Sequence, residues 1–267
     1  MTRTSAPSRL YAENATIGYD GRVVSADLSV AIPDGSFTVI VGANASGKST
    51  LLRALARLIR PSAGRIVLDG RSIAGYPARE VARRLALLPQ ASIAPDGITV
   101  ADLVARGRYP HQSLLRQWSR ADEAAVFEAM AATGIADLGY RRVDELSGGQ
   151  RQRVWVAMVL AQQAPLLLLD EPTTFLDIAH QVDLLDLLAR LNRSGQTIVA
   201  VLHDLNHACR YASHIIALRQ GAVIAEGAPR DIVTAELVEA VFGLSCLVME
   251  DPVSHTPLVI PRGISAP

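Results

Sequence analysis

The sequence predicts an α/β fold in which a mainly parallel sheet core carries an N-terminal antiparallel β-layer and an inserted α-helical subdomain. First, a short apolar run at residues 36–41 leads into a glycine-bearing loop and then into helically spaced leucines and alanines. Second, strand-like and helical segments alternate again after residue 165, which is typical of a parallel sheet covered on both faces. Third, residues 92–160 are alanine-rich with few β-branched runs, which indicates helices.

The N-terminal part predicts strands around one helix. Apolar and polar residues alternate over residues 10–32 on both sides of a turn at residues 19–22, which indicates antiparallel strands. Leucines and alanines over residues 49–59 have helical spacing. A strand and an Asp-Gly turn follow over residues 64–70. This part is therefore expected to form the β-layer and the first strand–helix unit of the core.

The later elements follow the same rules. Residues 120–133 of the insert predict a helix. Beyond the insert, the pattern predicts a buried strand at residues 166–169, a helix over residues 178–194 that a glycine ends, and a strand at residues 197–202. Alternating strands and helices of this kind indicate a mainly parallel sheet.

The chain is therefore predicted to be one domain with three parts. Residues 1–91 and 161–245 form the α/β core with its β-layer. Residues 92–160 form the helical subdomain, and residues 246–267 form a C-terminal tail with a small hairpin.

Composition excludes several classes of protein. The 267 residues hold 26 acidic and 26 basic side chains, a balance that argues against nucleic acid as a partner. The mean hydropathy of +0.23 is high, yet the apolar runs are shorter than a bilayer requires, and the first ten residues lack the apolar stretch of a signal peptide. Cys209 and Cys246 lie far apart without metal-ligand spacing and are expected to be inert thiols in a reducing compartment.

The glycine-bearing loop fits the phosphate-binding pattern and contains Lys48, the only lysine of the chain. Backbone amides near the glycines would cradle phosphates, Lys48 would reach the β- and γ-phosphates, and Ser49 would bind Mg²⁺. Because arginine supplies the other basic charges, the lone lysine indicates a cavity that needs a compact ammonium. A purely structural glycine turn is the alternative. The loop comprises Gly42, Ala43, Asn44, Ala45, Ser46, Gly47, Lys48 and Ser49, and Thr50 follows it.

Two carboxylates, Asp170 and Glu171, come directly after the predicted strand at residues 166–169. The C-terminal edge of a parallel sheet is the side on which ligands usually bind. Asp170 suits Mg²⁺ coordination, directly or through water, and Glu171 suits activation of an attacking water. Apolar strands that end in acids are common, so this interpretation depends on the other motifs.

Residues 146–153 read Leu-Ser-Gly-Gly-Gln-Arg-Gln-Arg and resemble the signature motif of ABC ATPases, a family of P-loop NTPases with a RecA-like core. The resemblance implies that a second copy of the chain presents Ser147 and Gly149 to the γ-phosphate. From the residues alone, a Ser-Gly-Gly turn that opens a helix would aim its hydroxyl, amides and dipole at an anion. A simple helix N-cap is the alternative.

Four further residues follow the order of the family's motifs across almost the whole chain. The resemblance implies that Tyr19 stacks on adenine and that Gln90 contacts Mg²⁺ and water within a loop that senses a permease. It implies that Asp177 contacts the second copy and that His203 contacts the γ-phosphate. The catalytic residues are then Lys48, Gln90, Glu171 and His203, the Mg²⁺ ligands are Ser49, Gln90 and Asp170, and the nucleotide-binding residues are Tyr19, Gly42, Asn44, Ala45, Ser46, Gly47, Lys48, Ser49, Thr50, Ser147, Gly149, Gln150 and Asp177.

Three positions depart from the family pattern. Ala43 and Ala45 stand where many members carry proline and glycine, and the loop path is expected to stay intact if these positions need no positive φ. Phe175 replaces the small residue that often precedes Leu-Asp, which would alter contacts between copies but leaves Asp177 in place.

Three stretches, residues 106–112, 173–181 and 250–258, resemble the iron-chelate import branch of the family. The resemblance implies an ATPase that works as a homodimer with ATP and Mg²⁺ at the cytoplasmic face of the cell membrane. It would energise uptake of a ferric siderophore through separate permease subunits. A periplasmic or lipid-anchored binding protein would deliver the siderophore to these subunits. The helical insert, with Gln90 at its hinge, is the predicted permease dock.

Three alternatives stay open. Cobalamin or haem importers have closely related ATPases. An ABC ATPase of an assembly machine, such as one for iron–sulfur cluster biogenesis, would bind scaffold proteins instead of a permease and would not purify with membranes. A P-loop kinase for a small molecule would need an acceptor site and would lack the signature motif.

Overall fold

The computed structural model describes residues 8–19, 21–90, 92–112 and 118–263. Its strands are β1 (Leu10–Tyr19), β2 (Arg22–Ile32), β3 (Phe37–Gly42), β4 (Ala63–Leu68), β5 (Arg71–Ser72), β6 (Leu85–Leu88), β7 (Leu166–Asp170), β8 (Thr197–Val201), β9 (His214–Arg219), β10 (Ala222–Gly227), β11 (Cys246–Glu250) and β12 (Pro257–Pro261). Its α-helices are α1 (Lys48–Leu55), α2 (Ala78–Arg84), α3 (Val100–Ala105), α4 (Arg120–Ala132), α5 (Gly148–Ala161), α6 (Ile178–Arg193), α7 (Leu205–Tyr211), α8 (Pro229–Ile232) and α9 (Ala235–Phe242).

The chain divides into two compact units, residues 1–75 with 197–267 and residues 76–196. In the first unit, β1 pairs antiparallel with β2 and β4, and β5 pairs with β4, which gives the predicted β-layer. The same unit holds strands in the order β10-β9-β3-β8, where β3 is parallel to both β8 and β9. The domain boundaries predicted at residues 92 and 160 stay a prediction.

Strands β3 and β8 are buried along their whole length. Their near-continuous apolar sequence is what a parallel strand covered on both faces requires. Helix α1 ends at Leu55, four residues before the predicted end. Arg57 takes a left-handed φ of 65° there, and the Leu58 amide donates to the Arg53 carbonyl oxygen, which closes the helix without the glycine that usually marks such an end.

The second unit contains the parallel pair β6–β7 and the helices predicted for the insert. Side chains from α3, α4 and α5 form one apolar cluster, with Leu103, Met130 and Val154 among its buried members. A buried ion pair fixes the chain beside this cluster, because Arg108 Nε donates to Asp122 Oδ1 at 2.8 Å. Burial alone would raise the pKa of Asp122, but hydrogen bonds from Ser119 and Arg108 outweigh burial and hold that pKa below its ordinary value.

The predicted C-terminal hairpin is present as β11 and β12, which pair antiparallel with five residues each. Both cysteines are buried, and burial raises the pKa of Cys209 to about 12, as expected for an inert thiol. Within the described ranges, the structure contains no helix with the length and hydropathy of a membrane span. The turn predicted at residues 19–22 includes Asp20, which lies outside the described residues.

Candidate functional site

The loop between β3 and α1, residues 42–49, is named here the phosphate loop. Gly42 has a φ of 152°, and a Cβ there would lie 2.2 Å from the Leu218 carbonyl oxygen, so only glycine fits. Gly47, with a φ of 100°, caps α1. Ala45 has a φ of 61°, so this position does not meet the condition of needing no positive φ under which the loop path was expected to stay intact. An L-residue pays a steric cost in this conformation, which the surrounding loop must offset.

Lys48 lies over its own loop. Its ammonium Nζ donates to the Gly42 and Ala43 carbonyl oxygens, each at 2.9 Å, and the residue is only 5% exposed. Two carbonyl oxygens and a buried stem hold the ammonium charge at the phosphate loop. The phosphate loop thus presents one fixed cation beside the start of a helix.

The start of α1 is prepared for an anion. Its N-cap, Gly47, offers no side-chain acceptor, and its first turn carries no acidic residue, so no carboxylate of this turn offsets the positive end of the helix dipole. Ser46 Oγ is buried and has no hydrogen-bond partner within the described part of the chain. The Lys48 ammonium, the start of α1 and the buried Ser46 hydroxyl together fit a chain of phosphates.

Two other predicted residues belong to the same unit. Tyr19 ends β1, is 41% exposed, and accepts a hydrogen bond at its hydroxyl from Arg53 Nη1 at 3.3 Å. This contact ties the predicted adenine-stacking ring to α1. His203 lies two residues after the end of β8 and is exposed. The next residue, Asp204, is the N-cap of α7.

In the second unit, β7 ends in the predicted carboxylates. Asp170 is fully buried as the last residue of the strand, while Glu171 leaves the strand with a left-handed φ of 54°. Thr174 Oγ1 donates to Glu171 Oε2 at 3.4 Å, and Gln152 Nε2 donates to the Pro172 carbonyl oxygen at 2.9 Å. These two contacts orient the loop that carries Glu171. Strain at a non-glycine residue is a frequent feature of functional sites.

The signature stretch forms a capping box at the start of α5. Ser147 Oγ accepts from the Gln150 amide at 3.2 Å, and Gln150 Oε1 accepts from the Ser147 amide at 3.1 Å. The helix-cap alternative is therefore present in the structure. It does not displace the functional interpretation, because Ser147 is exposed and remains at the N-terminus of a 14-residue helix.

The loop before α6 packs on this helix start. A Cβ on Gly149 would lie 3.4 Å from Leu176 Cδ2, and a Cβ on Gly148 would lie 3.7 Å from Phe175 Cβ. Phe175 has a φ of 67° and is 78% exposed. Asp177 caps α6: its Oδ1 accepts from the His180 amide at 2.9 Å and lies 2.7 Å from His180 Nδ1. The His180 amide hydrogen bond lowers the pKa of Asp177, which therefore stays ionised.

The structure thus brings the predicted residues into two groups, one per unit. The first unit holds Tyr19, the phosphate loop and His203. The second holds the signature stretch, Asp177, the two carboxylates and Gln90, which is exposed two residues after β6. Sequence reasoning missed Thr174, whose spacing of three residues from Glu171 was a detectable signal.

Comparison with known proteins agrees with this geometry. A family model described as ABC transporter matches residues 25–174, more than half of the chain. The chain is 58% identical to the ferric enterobactin transport ATP-binding protein FepC of Escherichia coli, over 99% of this chain and 98% of that protein. It is 52% identical to YusV of Bacillus subtilis, described as a probable siderophore transport system ATP-binding protein, over 96% of this chain and 94% of that protein.

Solved structures share the fold. A metal-chelate type ABC transporter in an inward-facing conformation matches with a TM-score of 0.80 at 28% identity, covering 96% of this chain and 97% of that chain. The dimeric ATP-binding cassette MJ0796 bound to ADP and phosphate matches with a TM-score of 0.71 at 28% identity, covering 82% of this chain and 98% of that chain. The chain therefore belongs to the ABC transporter family as one of its ATP-binding proteins, which confirms the family and the P-loop fold predicted from its sequence.

Proposed function

We propose that this chain binds and hydrolyses ATP, with Mg²⁺, to energise uptake of a ferric siderophore through a separate permease. The observation that carries this proposal is the 58% identity to a ferric enterobactin transport ATP-binding protein over nearly the full length of both chains. The second siderophore-related protein, at 52% identity, supports the same substrate class. The resemblance of residues 106–112, 173–181 and 250–258 to the iron-chelate branch points in the same direction.

The phosphate loop supplies nucleotide binding in this proposal. Its amides and the start of α1 bind the phosphates, and Lys48 gives up its two loop carbonyls to contact the β- and γ-phosphates. Because the ammonium is already held at the loop, its movement is short and it loses little conformational freedom on binding. Tyr19 stacks on the adenine.

The chemical step uses oxygen ligands and one general base. Ser49, Gln90 and Asp170 offer a hydroxyl, an amide and a carboxylate oxygen, a small donor set that suits Mg²⁺ when phosphates complete its shell. The ion would neutralise charge on the phosphates. Glu171, held by Thr174, orients and deprotonates the attacking water, and His203 donates a hydrogen bond to the γ-phosphate.

Hydrolysis requires two copies in this proposal. Ser147 and Gly149 of one copy bind the γ-phosphate held by the other, and the ionised Asp177 contacts the partner beside them. The exposed capping hydroxyl and the exposed Phe175 next to it support a role for this surface in contacts between copies.

A groove in the second unit supports the proposed permease dock. It has a volume of about 720 Å³ and lies between α3, α4 and the turn that follows α3. Its lining combines apolar and aromatic side chains, Ile98, Tyr109, Trp118 and Val126 among them, with polar and charged ones such as Arg106. Exposed aromatics around a groove are typical of a surface that accepts an apolar helix. We place the chain at the inner face of the membrane on this basis, below permease subunits that receive the chelate from a binding protein.

The test is uptake of radiolabelled ferric siderophores, ferric enterobactin first, by iron-starved cells whose only copy of this chain is the natural protein, Lys48→Ala or Arg193→Ala. Lys48→Ala should abolish uptake of one chelate class. Arg193→Ala removes an exposed positive charge at the end of α6 and should leave uptake unchanged. Immunoblots establish equal amounts of the three proteins.

Two results would overturn the proposal. If Lys48→Ala leaves uptake of every ferric siderophore unchanged but stops cobalamin or haem uptake, the substrate class is wrong. If none of these is affected and the chain does not purify with membranes, the role in an assembly machine is favoured instead.

A further inference from the structure

The C-terminal hairpin holds the helix that follows His203. Helix α7 starts two residues after this histidine, and Asn206 lies in its first turn. The Asn206 side chain makes two hydrogen bonds to one residue of β12: Oδ1 accepts from the Val259 amide at 2.7 Å, and Nδ2 donates to the Val259 carbonyl oxygen at 3.2 Å. Because the Asn206 amide both donates to and accepts from one backbone residue, it fixes the distance and the orientation of α7 relative to β12.

A second link lies one turn further along α7. Arg210 Nη2 is 3.9 Å from Asp251 Oδ2, in the turn between β11 and β12. Asn206 and Arg210 are four residues apart, so both project from the same face of the helix, the face towards the hairpin. At 3.9 Å and with Arg210 exposed, this ion pair contributes little by itself, so the paired amide of Asn206 is the dominant link.

The hairpin is rigid enough to act as a support. Asp251 Oδ1 accepts from the Val253 and Ser254 amides, which fixes its turn. Cys246 and Val259 are buried on its inner side, 5% and 6% exposed. The hydrogen bonds of Asn206 therefore connect α7 to a packed element of the first unit.

His203 is confined from both sides by this arrangement. Before it, β8 is fully buried and ends at Val201. After it, Asp204 Oδ1 accepts from the Asn206 and His207 amides, which sets the start of α7. The orientation of α7 therefore determines the backbone direction at His203, because only Leu202 and Asp204 separate this residue from structured elements.

We propose that Asn206 is a positioning residue: by pairing with Val259, it uses the C-terminal hairpin to fix α7 and thereby the orientation of the His203 imidazole. This inference rests on the proposed role of His203 in ATP hydrolysis. It gives the C-terminal tail a function in turnover, although none of the nucleotide-binding residues proposed above lies in that tail.

The direct test is NMR of the full chain with ¹³C-labelled histidine. The chain has six histidines, and loss of one Cε1 signal in His203→Ala identifies that residue. Asn206→Ala should shift or broaden the His203 signal while the signal of His111, in the other unit, stays in place. Asn206→Asp keeps an acceptor for the Val259 amide and loses the donor, so it should give a smaller change. A His203 signal unchanged in both folded variants overturns the inference.

Kinetics of the purified chain separate this inference from the proposed function. Asn206→Ala should lower kcat for ATP roughly tenfold with KM changed by less than about twofold. Adding Asn206→Ala to His203→Ala should cause no further loss. The matched control is Asn192→Ala, which also removes an amide that donates to a backbone carbonyl, that of Gln196, and should leave kcat unchanged.

Normal turnover in His203→Ala would remove the proposed role of that histidine. Loss of turnover in His203→Ala with normal turnover in Asn206→Ala would reject the positioning role alone.

Discussion

Two residues of the phosphate loop show what a single position can and cannot reveal. Lys48 could be identified from sequence, because it is the one lysine of the chain and stands within a phosphate-binding pattern. Its bonds to the Gly42 and Ala43 carbonyl oxygens could not, because they depend on the path of the loop. Alanine at position 45 was expected to leave the loop path intact if the position needs no positive φ, yet Ala45 has a left-handed φ of 61°. The residue type at one position does not reveal a backbone angle that the neighbouring residues of the loop impose.

Ala45→Gly is therefore expected to stabilise the protein by roughly 0.5–1 kcal/mol. Glycine relieves the steric cost of the left-handed conformation, which exceeds the entropy it adds to the unfolded chain. The measurement is the free energy of unfolding in urea without nucleotide. Ala43→Gly is the matched control, since Ala43 has no positive φ and glycine there should destabilise by about 0.4–1 kcal/mol. Equal destabilisation by both changes would show that Ala45 carries no strain.

Elements buried on both faces were the most predictable. The strands at β3, β7 and β8 match the predicted ranges within one residue, because an unbroken apolar run bounded by turn residues leaves few alternatives. The end of α1 was not predictable, since Arg57 takes the left-handed position that sequence rules assign to glycine. The start of α5 was predicted as a phosphate contact with a helix cap as its alternative, and the structure shows the cap.

Ser147→Asp can separate the cap from the proposed phosphate contact. Aspartate is as good an N-cap as serine, so the free energy of unfolding should change by less than about 0.5 kcal/mol. A second negative charge at the position that would meet a γ-phosphate should abolish ATP-dependent dimer formation, measured by gel filtration. Thr234→Asp makes a similar exchange at the N-cap of α9 and should leave the dimer intact. If Ser147→Asp still forms an ATP-dependent dimer, Ser147 acts only as a helix cap and does not contact the γ-phosphate.

The whole molecule was predictable chiefly through the order of its motifs. No single motif decides the family, since apolar strands that end in acids and serine-capped helices are common in unrelated proteins. Their order from Tyr19 to His203 across one chain decided it, and the family model and relatives confirmed it. The contact of Asn206 with Val259 escaped sequence reasoning, because it depends on the tertiary approach of two segments, 53 residues apart, that no motif connects. The contact of Thr174 with Glu171 is local, and its three-residue spacing was a signal that the sequence did offer.

The last prediction concerns the assembly of two chains. If Glu171 is the general base, Glu171→Gln should bind ATP normally, lose turnover at least about a hundredfold, and accumulate a nucleotide-bound dimer, because binding closes the pair while only hydrolysis reopens it. Gel filtration with Mg·ATP should show the variant at twice the monomer mass and the natural chain mainly as monomer after turnover. Glu128→Gln makes the same chemical change on the exposed face of α4 and should behave as the natural chain does. Normal turnover in Glu171→Gln would exclude Glu171 as the general base. Lost turnover without a dimer would agree with Glu171 as the base but would reject closure between two copies.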